Sequence, residues 1–177
     1  MLYRVSSFWA RVEIVCAAAL AASVTGLILL NVITRAAGNA IYWVDEAAIY
    51  AMVWMTFLAA SAALHYRTAI AVTVVQEFVS PAVSAILGRC VDVVVFVFAC
   101  ALVWICLRWF MPFQLAAQGW DIRAFQGATF NFIYSEPTNT LGFKKAWVWL
   151  AVVLFTFGSL LHSAANLFHP GPADNAL

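Results

Sequence analysis

The chain has 177 residues, of which 66% are apolar and only 10% charged, with a mean hydropathy of +0.94. A soluble domain carries about 45–50% apolar and about 25% charged residues, so composition excludes a water-soluble globule and places the chain in a bilayer. Nine Lys/Arg against eight Asp/Glu leave a net charge of +1, too little for a basic field that would attract nucleic acid, and the length suits one membrane domain.

A hydrocarbon core of about 30 Å takes about 20 residues of helix. The charge-free stretch between Glu13 and Arg35 therefore predicts a first span over 14–34. Its apolar run exceeds the 7–15 residues or so of a secretory signal core, which predicts an uncleaved helix. The second span covers 47–66, between Asp45-Glu46 and Arg67. Over 69–79, Ile70, Val74, Val75, Phe78 and Val79 recur at helical steps around Gln76 and Glu77, the pattern of an amphipathic helix lying in the interface. The third span, 89–110, has a short uncharged centre from Val93 to Leu107, so Arg89, Asp92 and Arg108 are expected to extend it into the headgroups. Residues 111–145 form a loop carrying Phe113, Trp120, Phe125, Phe130, Phe132, Tyr134 and Phe143. Those rings must rest on headgroups, on the bundle or on another protein. The fourth span is 146–168, and the tail after Pro170 reads as disordered. The fold class is thus an all-α integral membrane protein, four transmembrane helices with amphipathic interfacial arms. Charge bias does not orient it: four basic residues fall on one side and five on the other.

Chemistry-bearing residues are few. Cys16, Cys90, Cys100 and Cys106 lack the Cys-x-x-Cys spacing of a redox pair, and are expected to act as small buried hydrophobes. His65 and His162 lie at one end of the second and fourth helices. A bis-imidazole haem is one reading and interhelical hydrogen bonding another, with mismatched depths along the two helices favouring the latter. Every Asp, Glu, Lys and Arg is expected at a span boundary or in a connector, which leaves no ionisable lining for a solute path apart from His162. No catalytic, metal-spaced or phosphate-cradling constellation stands out, so neither enzyme activity nor a cofactor is expected. Ala18, Ala22 and Gly26 form a small-residue row suited to close helix packing. Asp45 and Glu46 begin the second helix, where the helix dipole favours carboxylates, and Trp43 before them suits an interface anchor. Glu46, Tyr50, Trp54, Phe57, Ser61 and His65 then share one face, either packing on neighbouring helices or meeting another protein. Arg35 is placed to pair with Asp45 or Glu46.

The run Asn31-Val32-Ile33-Thr34-Arg35, followed by Trp43-Val44-Asp45-Glu46 and by Tyr50 to Ala60 with Val53-Trp54 and Phe57-Leu58, resembles the small membrane subunit of tripartite ATP-independent periplasmic (TRAP) transporters. His65 to Val72 is similar to that family's short connector ending in Ile-x-Val, although Ala69, Ala71 and Thr73 stand where charged residues are usual. The resemblance is specific over about Asn31 to Val72. It implies a sodium-coupled, binding-protein-dependent importer of organic acids in the bacterial inner membrane. In it this chain would scaffold a larger elevator-type permease subunit without carrying substrate. It further implies cytoplasmic N- and C-termini, a transient periplasmic solute-binding partner, lipid contact, and Asn31, Arg35, Trp43, Asp45, Glu46, Tyr50, Trp54 and Phe57 as residues of the partner interface or the fold. The rival readings are a haem-bearing electron-transfer subunit using His65 and His162, and an independent four-helix carrier.

Overall fold

The computed structural model describes residues 1–68 and 79–169. Four long helices form the bundle: α1 (Leu2–Ala36), α2 (Tyr42–Tyr66), α3 (Pro81–Phe110) and, after two short helices α4 (Pro112–Ala117) and α5 (Ile122–Thr129), α6 (Ala146–Phe168). Each of the four long helices is long and apolar enough to cross a membrane. The expected all-α membrane fold is therefore the one observed. The expected interfacial helix over 69–79 lies almost wholly outside the described residues.

Local chemistry sets the ends. α1 stops where Gly38 turns into the left-handed region at φ +76°, and the Asn39 amide reaches back to the Thr34 carbonyl. At the end of α2, Arg67 is left-handed, its amide bonding the Leu64 carbonyl while Thr68 bonds Ala63, the double closure of a Schellman turn. Pro81 opens α3, where its missing N–H costs nothing. Asp121 caps α5, its carboxylate accepting from the Arg123 and Ala124 amides.

The helices are not packed as a square. α6 lies at the centre, with α1 and α2 against one side and α3 against the other. α3 touches the bundle through one stripe, Asp92, Ala99, Cys106 and Phe110, while Val93, Val94, Val97, Phe98 and Trp104 face outward. α1 buries only Ser6, Ala10, Glu13 and Ala17; beyond Ala17 it rests partly on α2 and leaves most of its circumference open. The loop after α3 folds back as a cap over the α3–α6 seam. Ile133 packs on Cys106 and Phe110, and Asn131 and the Tyr134 hydroxyl donate to the Trp109 and Phe110 carbonyls, each at 2.7 Å. Burial pushes the Tyr134 phenol up, which keeps it a donor.

Two packing expectations are corrected. Ala18, Ala22 and Gly26 face outward: all three are exposed, and among the described residues no helix covers that row. Cys16, Cys90 and Cys100 are exposed on outward helix faces, and only Cys106 is buried. A one-sided bundle gives a small apolar side chain two low-energy surroundings, the core or lipid, and periodicity alone does not choose between them.

Candidate functional site

Five of the residues singled out in the sequence, Asn31, Arg35, Asp45, Glu46 and Tyr50, form two clusters near the α1–α2 turn. In the first, Asn31, Arg35 and Asp45 close a ring: Asn31 and Arg35 each donate to one oxygen of the Asp45 carboxylate, and Arg35 Nε donates to Asn31 Oδ1 at 2.9 Å. Arg35 thus chooses Asp45 and leaves Glu46 free for another task. The ring is open to its surroundings, with the Arg35 and Asp45 side chains 58% and 45% exposed. Trp43 beside it is also exposed.

In the second, Glu46 turns inward and holds the loop before α6. Its carboxylate accepts the amides of Asn139 at 2.7 Å, Thr140 at 2.6 Å and Leu141 at 3.2 Å, and the Thr140 hydroxyl at 2.6 Å. The Tyr50 hydroxyl, one turn along, donates to it at 2.7 Å. Three successive N–H groups aimed at one carboxylate make an anion nest. The helical face therefore serves the chain's own fold at Glu46, and again at Phe57, which packs on Phe155 with ring centroids 5.3 Å apart. Trp54 and Tyr50 line a shallow apolar groove completed by Leu20, Phe143 and Trp147.

At the opposite end of the bundle, the two histidines expected to face each other meet Ser6 and Glu13, which sequence reading missed. Ser6 Oγ sits 2.7 Å from Nδ1 of His65 and 2.7 Å from Nδ1 of His162, and His162 Nε2 meets Glu13 Oε2 at 2.9 Å. Ser6, Glu13 and His162 are at most 1% exposed, and His65 is 7% exposed. Gly158 lets α1 come close: a Cβ there would stand 2.6 Å from Glu13 Oε1 and 2.3 Å from Ser61 Oγ. Glu13 Oε1, Ser61 Oγ and Ser159 Oγ are buried without hydrogen-bond partners among the described residues. A little further toward this end, Arg67 pairs with the buried Asp92 at 2.9 Å, Arg89 donates to the Leu167 carbonyl at 2.7 Å, and Asn166 Nδ2 donates to the Leu64 carbonyl.

These contacts correct two expectations. Glu13 and Asp92 are not boundary charges reaching for headgroups; both are buried, Glu13 against His162 of α6 and Asp92 against Arg67 at the end of α2. The depths of His65 and His162 also match, their ring centroids being 5.4 Å apart. Asn166 lies level with the end of α2, so α6 projects beyond α2 and the offset counted from helix ends shrinks to about one turn, about 5 Å. A bis-imidazole haem would place its iron between two ring nitrogens. Here the Ser6 hydroxyl fills that position, and the pair is the interhelical hydrogen-bonded arrangement. The sequence signal was present but faint: Ser6, Ala10, Glu13 and Ala17 mark one narrow face of an otherwise apolar helix.

The bundle's acidic groups are thus paired internally. Each acidic side chain among the described residues has a partner within the chain: His162, Asn31 with Arg35, the 139–141 loop, Arg67, the α5 amides, or Lys145. No curated protein and no solved structure matches the chain. The family model described as "Tripartite ATP-independent periplasmic transporters, DctQ component" matches residues 24–170, most of the chain and all of the Asn31–Phe57 constellation. With four helices able to span a membrane and that match, the chain belongs to the DctQ component family of TRAP transporters, a family of multi-pass membrane transporter components rather than of enzymes.

Proposed function

We propose that this chain is the small permease subunit of a sodium-coupled TRAP importer for organic acids in the bacterial inner membrane, where it holds the large permease subunit in place and does not itself carry solute. The observation that carries the reading is the internal pairing of the acidic groups. A carrier site needs ionisable groups facing a path, whereas the acidic side chains described here are each engaged by a partner within the chain. The outward surface is apolar, including Val94, Val97, Phe98 and Trp104 on α3 and Ile28, Leu29, Val32 and Ile33 on α1, and suits lipid and a second membrane protein. On this reading the N- and C-termini are cytoplasmic, the His-rich end faces the cytoplasm, and the 111–145 cap faces the periplasm and the solute-binding protein. Trp54, Tyr50 and the Asn31–Arg35–Asp45 ring lie on or near the face offered to the large subunit.

Reconstitution tests this. The chain alone in liposomes is expected to give no solute flux. Flux driven by a sodium gradient is expected only with the large subunit and a loaded binding protein present. Flux from the small chain alone would overturn the scaffold reading. Trp54→Ala is expected to weaken co-purification of the large subunit without lowering the stability of the isolated chain; unchanged co-purification would remove Trp54 from the interface.

A further inference from the structure

We infer that the His65–Ser6–His162–Glu13 chain is a proton-binding site, which takes up one proton at His65 and stores it on His162 against Glu13 with no heavy-atom rearrangement. The inference concerns this chain's own side chains and does not depend on which subunit carries solute.

A serine hydroxyl has one proton to donate and lone pairs to accept with. Ser6 Oγ lies 2.7 Å from two imidazole nitrogens, so it must donate to one and accept from the other. An ionised Glu13 can only accept, and in that state a proton lies on His162 Nε2. With both imidazoles neutral, one direction satisfies every contact: His65 Nδ1–H donates to Ser6, Ser6 donates to His162 Nδ1, and His162 Nε2–H donates to Glu13. The cluster then carries one buried negative charge, which burial opposes.

One added proton removes that imbalance. It binds His65 Nε2, the ring nitrogen not engaged by Ser6. The His65 Nδ1 proton passes to Ser6 Oγ, and the Ser6 proton passes to His162 Nδ1. His65 ends neutral in its other tautomer, His162 ends as imidazolium, and the Ser6 hydrogen bonds reverse direction over the same atoms. The gain is an ion pair between His162 and Glu13 in a site where neither is exposed to solvent. His65 keeps a small accessible edge and is the entry, flanked by the rings of Tyr3 at 5.2 Å and Tyr66 at 5.0 Å.

Among the described residues, no other charged group is hydrogen-bonded to the cluster. On α1, Tyr3 faces His65, Trp9 lies against Gly158, and Arg4 and Arg11 are exposed. On α2, Arg67 is committed to Asp92 of α3. Just past α6, His169 stands 6.4 Å from Tyr3 by ring centroids, and Arg89 of α3 is held by the Leu167 carbonyl. Among the described residues, Glu13 is the carboxylate facing the histidines.

Histidine-selective ¹⁵N NMR of the full-length protein in lipid nanodiscs, titrated from about pH 9 to about pH 5, tests the site. The expected result is one shared step, in which His162 Nδ1 becomes protonated as His65 changes from the Nδ1–H to the Nε2–H tautomer. Ser6→Ala removes the bridge and is expected to abolish the His65 tautomer change; Ser6→Thr keeps a hydroxyl and is expected to restore it. Independent titration of the two histidines, no change at either, or an infrared band showing Glu13 itself taking the proton would each overturn the inference. So would a tautomer change that survives Ser6→Ala. The wild-type and Ser6→Thr titrations decide the matter even where Ser6→Ala fails to assemble.

Discussion

Gly158→Ala reports on the closeness of α1 and α6 through the sign of a stability change. In an unobstructed helix interior, replacing glycine by alanine stabilises by about 0.5–1 kcal/mol through backbone entropy. At Gly158 the new methyl would stand 2.3 Å from Ser61 Oγ, 2.6 Å from Glu13 Oε1 and 3.2 Å from Trp9 Nε1, where side-chain carbons essentially never come within 3.0 Å. Ser61 can rotate away. Glu13 cannot retreat cheaply, because its other oxygen is bound to His162 at 2.9 Å in a site without solvent. Overpacking of a closed interior costs about 1–3 kcal/mol. With two contacts under 3.0 Å the upper part, about 2–3 kcal/mol, applies, so after the propensity gain the variant is expected to lose about 1–2 kcal/mol. For a chain of this size that is about 2–8 °C in Tm, read from tryptophan fluorescence of the purified protein in detergent. Adding Ser61→Ala removes the nearer of the two oxygens and is expected to recover part of the loss. A rise in Tm for Gly158→Ala, as in an open helix, would refute the close approach of α1 to α6 at this level.

The remaining predictions concern the other clusters. Arg67→Ala leaves the buried Asp92 carboxylate without its cation and is expected to cost about 1–3 kcal/mol, discounted because Arg67 is itself 37% exposed; Arg67→Ala with Asp92→Asn is expected to cost less than Arg67→Ala alone, and an equal cost would deny the pair any role. Arg35→Ala acts on an exposed pair and is expected to change stability by less than about 1 kcal/mol, so loss of the large subunit in a pull-down at unchanged Tm would mark Arg35 as an interface residue, whereas a large fall in Tm would contradict the exposure seen here. Glu46→Gln places an amide among donors, and hydrogen exchange is expected to quicken at the Asn139, Thr140 and Leu141 amides while α6 stays protected; unchanged exchange there would show the nest is not what holds the loop. Deleting 120–132 removes exposed Trp120 and Phe130 together with buried Phe125, so loss of transport with the four-helix bundle intact is expected if the cap docks a partner, and transport at wild-type rate would exclude docking there.

What was legible in the sequence followed from the solvent. Bilayer thickness fixes the length of an apolar helix, so the four spans show in hydropathy alone, and the Asn31 to Phe57 motif lies inside the segment that matches the family. Glycine, proline and aspartate at the helix ends mark the turns by local chemistry. Partner choice was less legible, because it depends on where helices diverge. Arg35 had two carboxylates within reach, and only the inward turn of Glu46 toward the 139–141 amides, 93 to 95 residues away, assigns Asp45 to it. The outward placement of Ala18, Ala22 and Gly26 likewise depends on α1 leaving α6, which small residues permit and do not dictate.

The proton-binding cluster was hidden for a different reason, which bears on how it arose as a physical unit. A charge near a predicted span boundary is ordinarily assigned to the headgroups, and Glu13 stands one residue outside a charge-free run. That assignment presumes that the helix ends where the run ends. α1 instead continues for eleven residues before Glu13, from Leu2, which places Glu13 inside a 35-residue helix and against the middle of α6. His65 and His162 lie within the segment matched to the family, whereas Ser6 and Glu13 precede it. The two halves of the cluster need each other. Without the N-terminal turns of α1, two imidazoles would face each other with neither a bridging hydroxyl nor a counter-charge. Without the imidazoles, Glu13 would be a buried carboxylate with no partner, a state that burial strongly disfavours. The first turns of α1 are therefore part of the bundle's polar chemistry, and truncating the chain before residue 14 is expected to loosen the His65–His162 contact while leaving the Glu46 nest at the far end intact. Hydrogen exchange that rises at both ends together would show the two ends to be one cooperative unit instead.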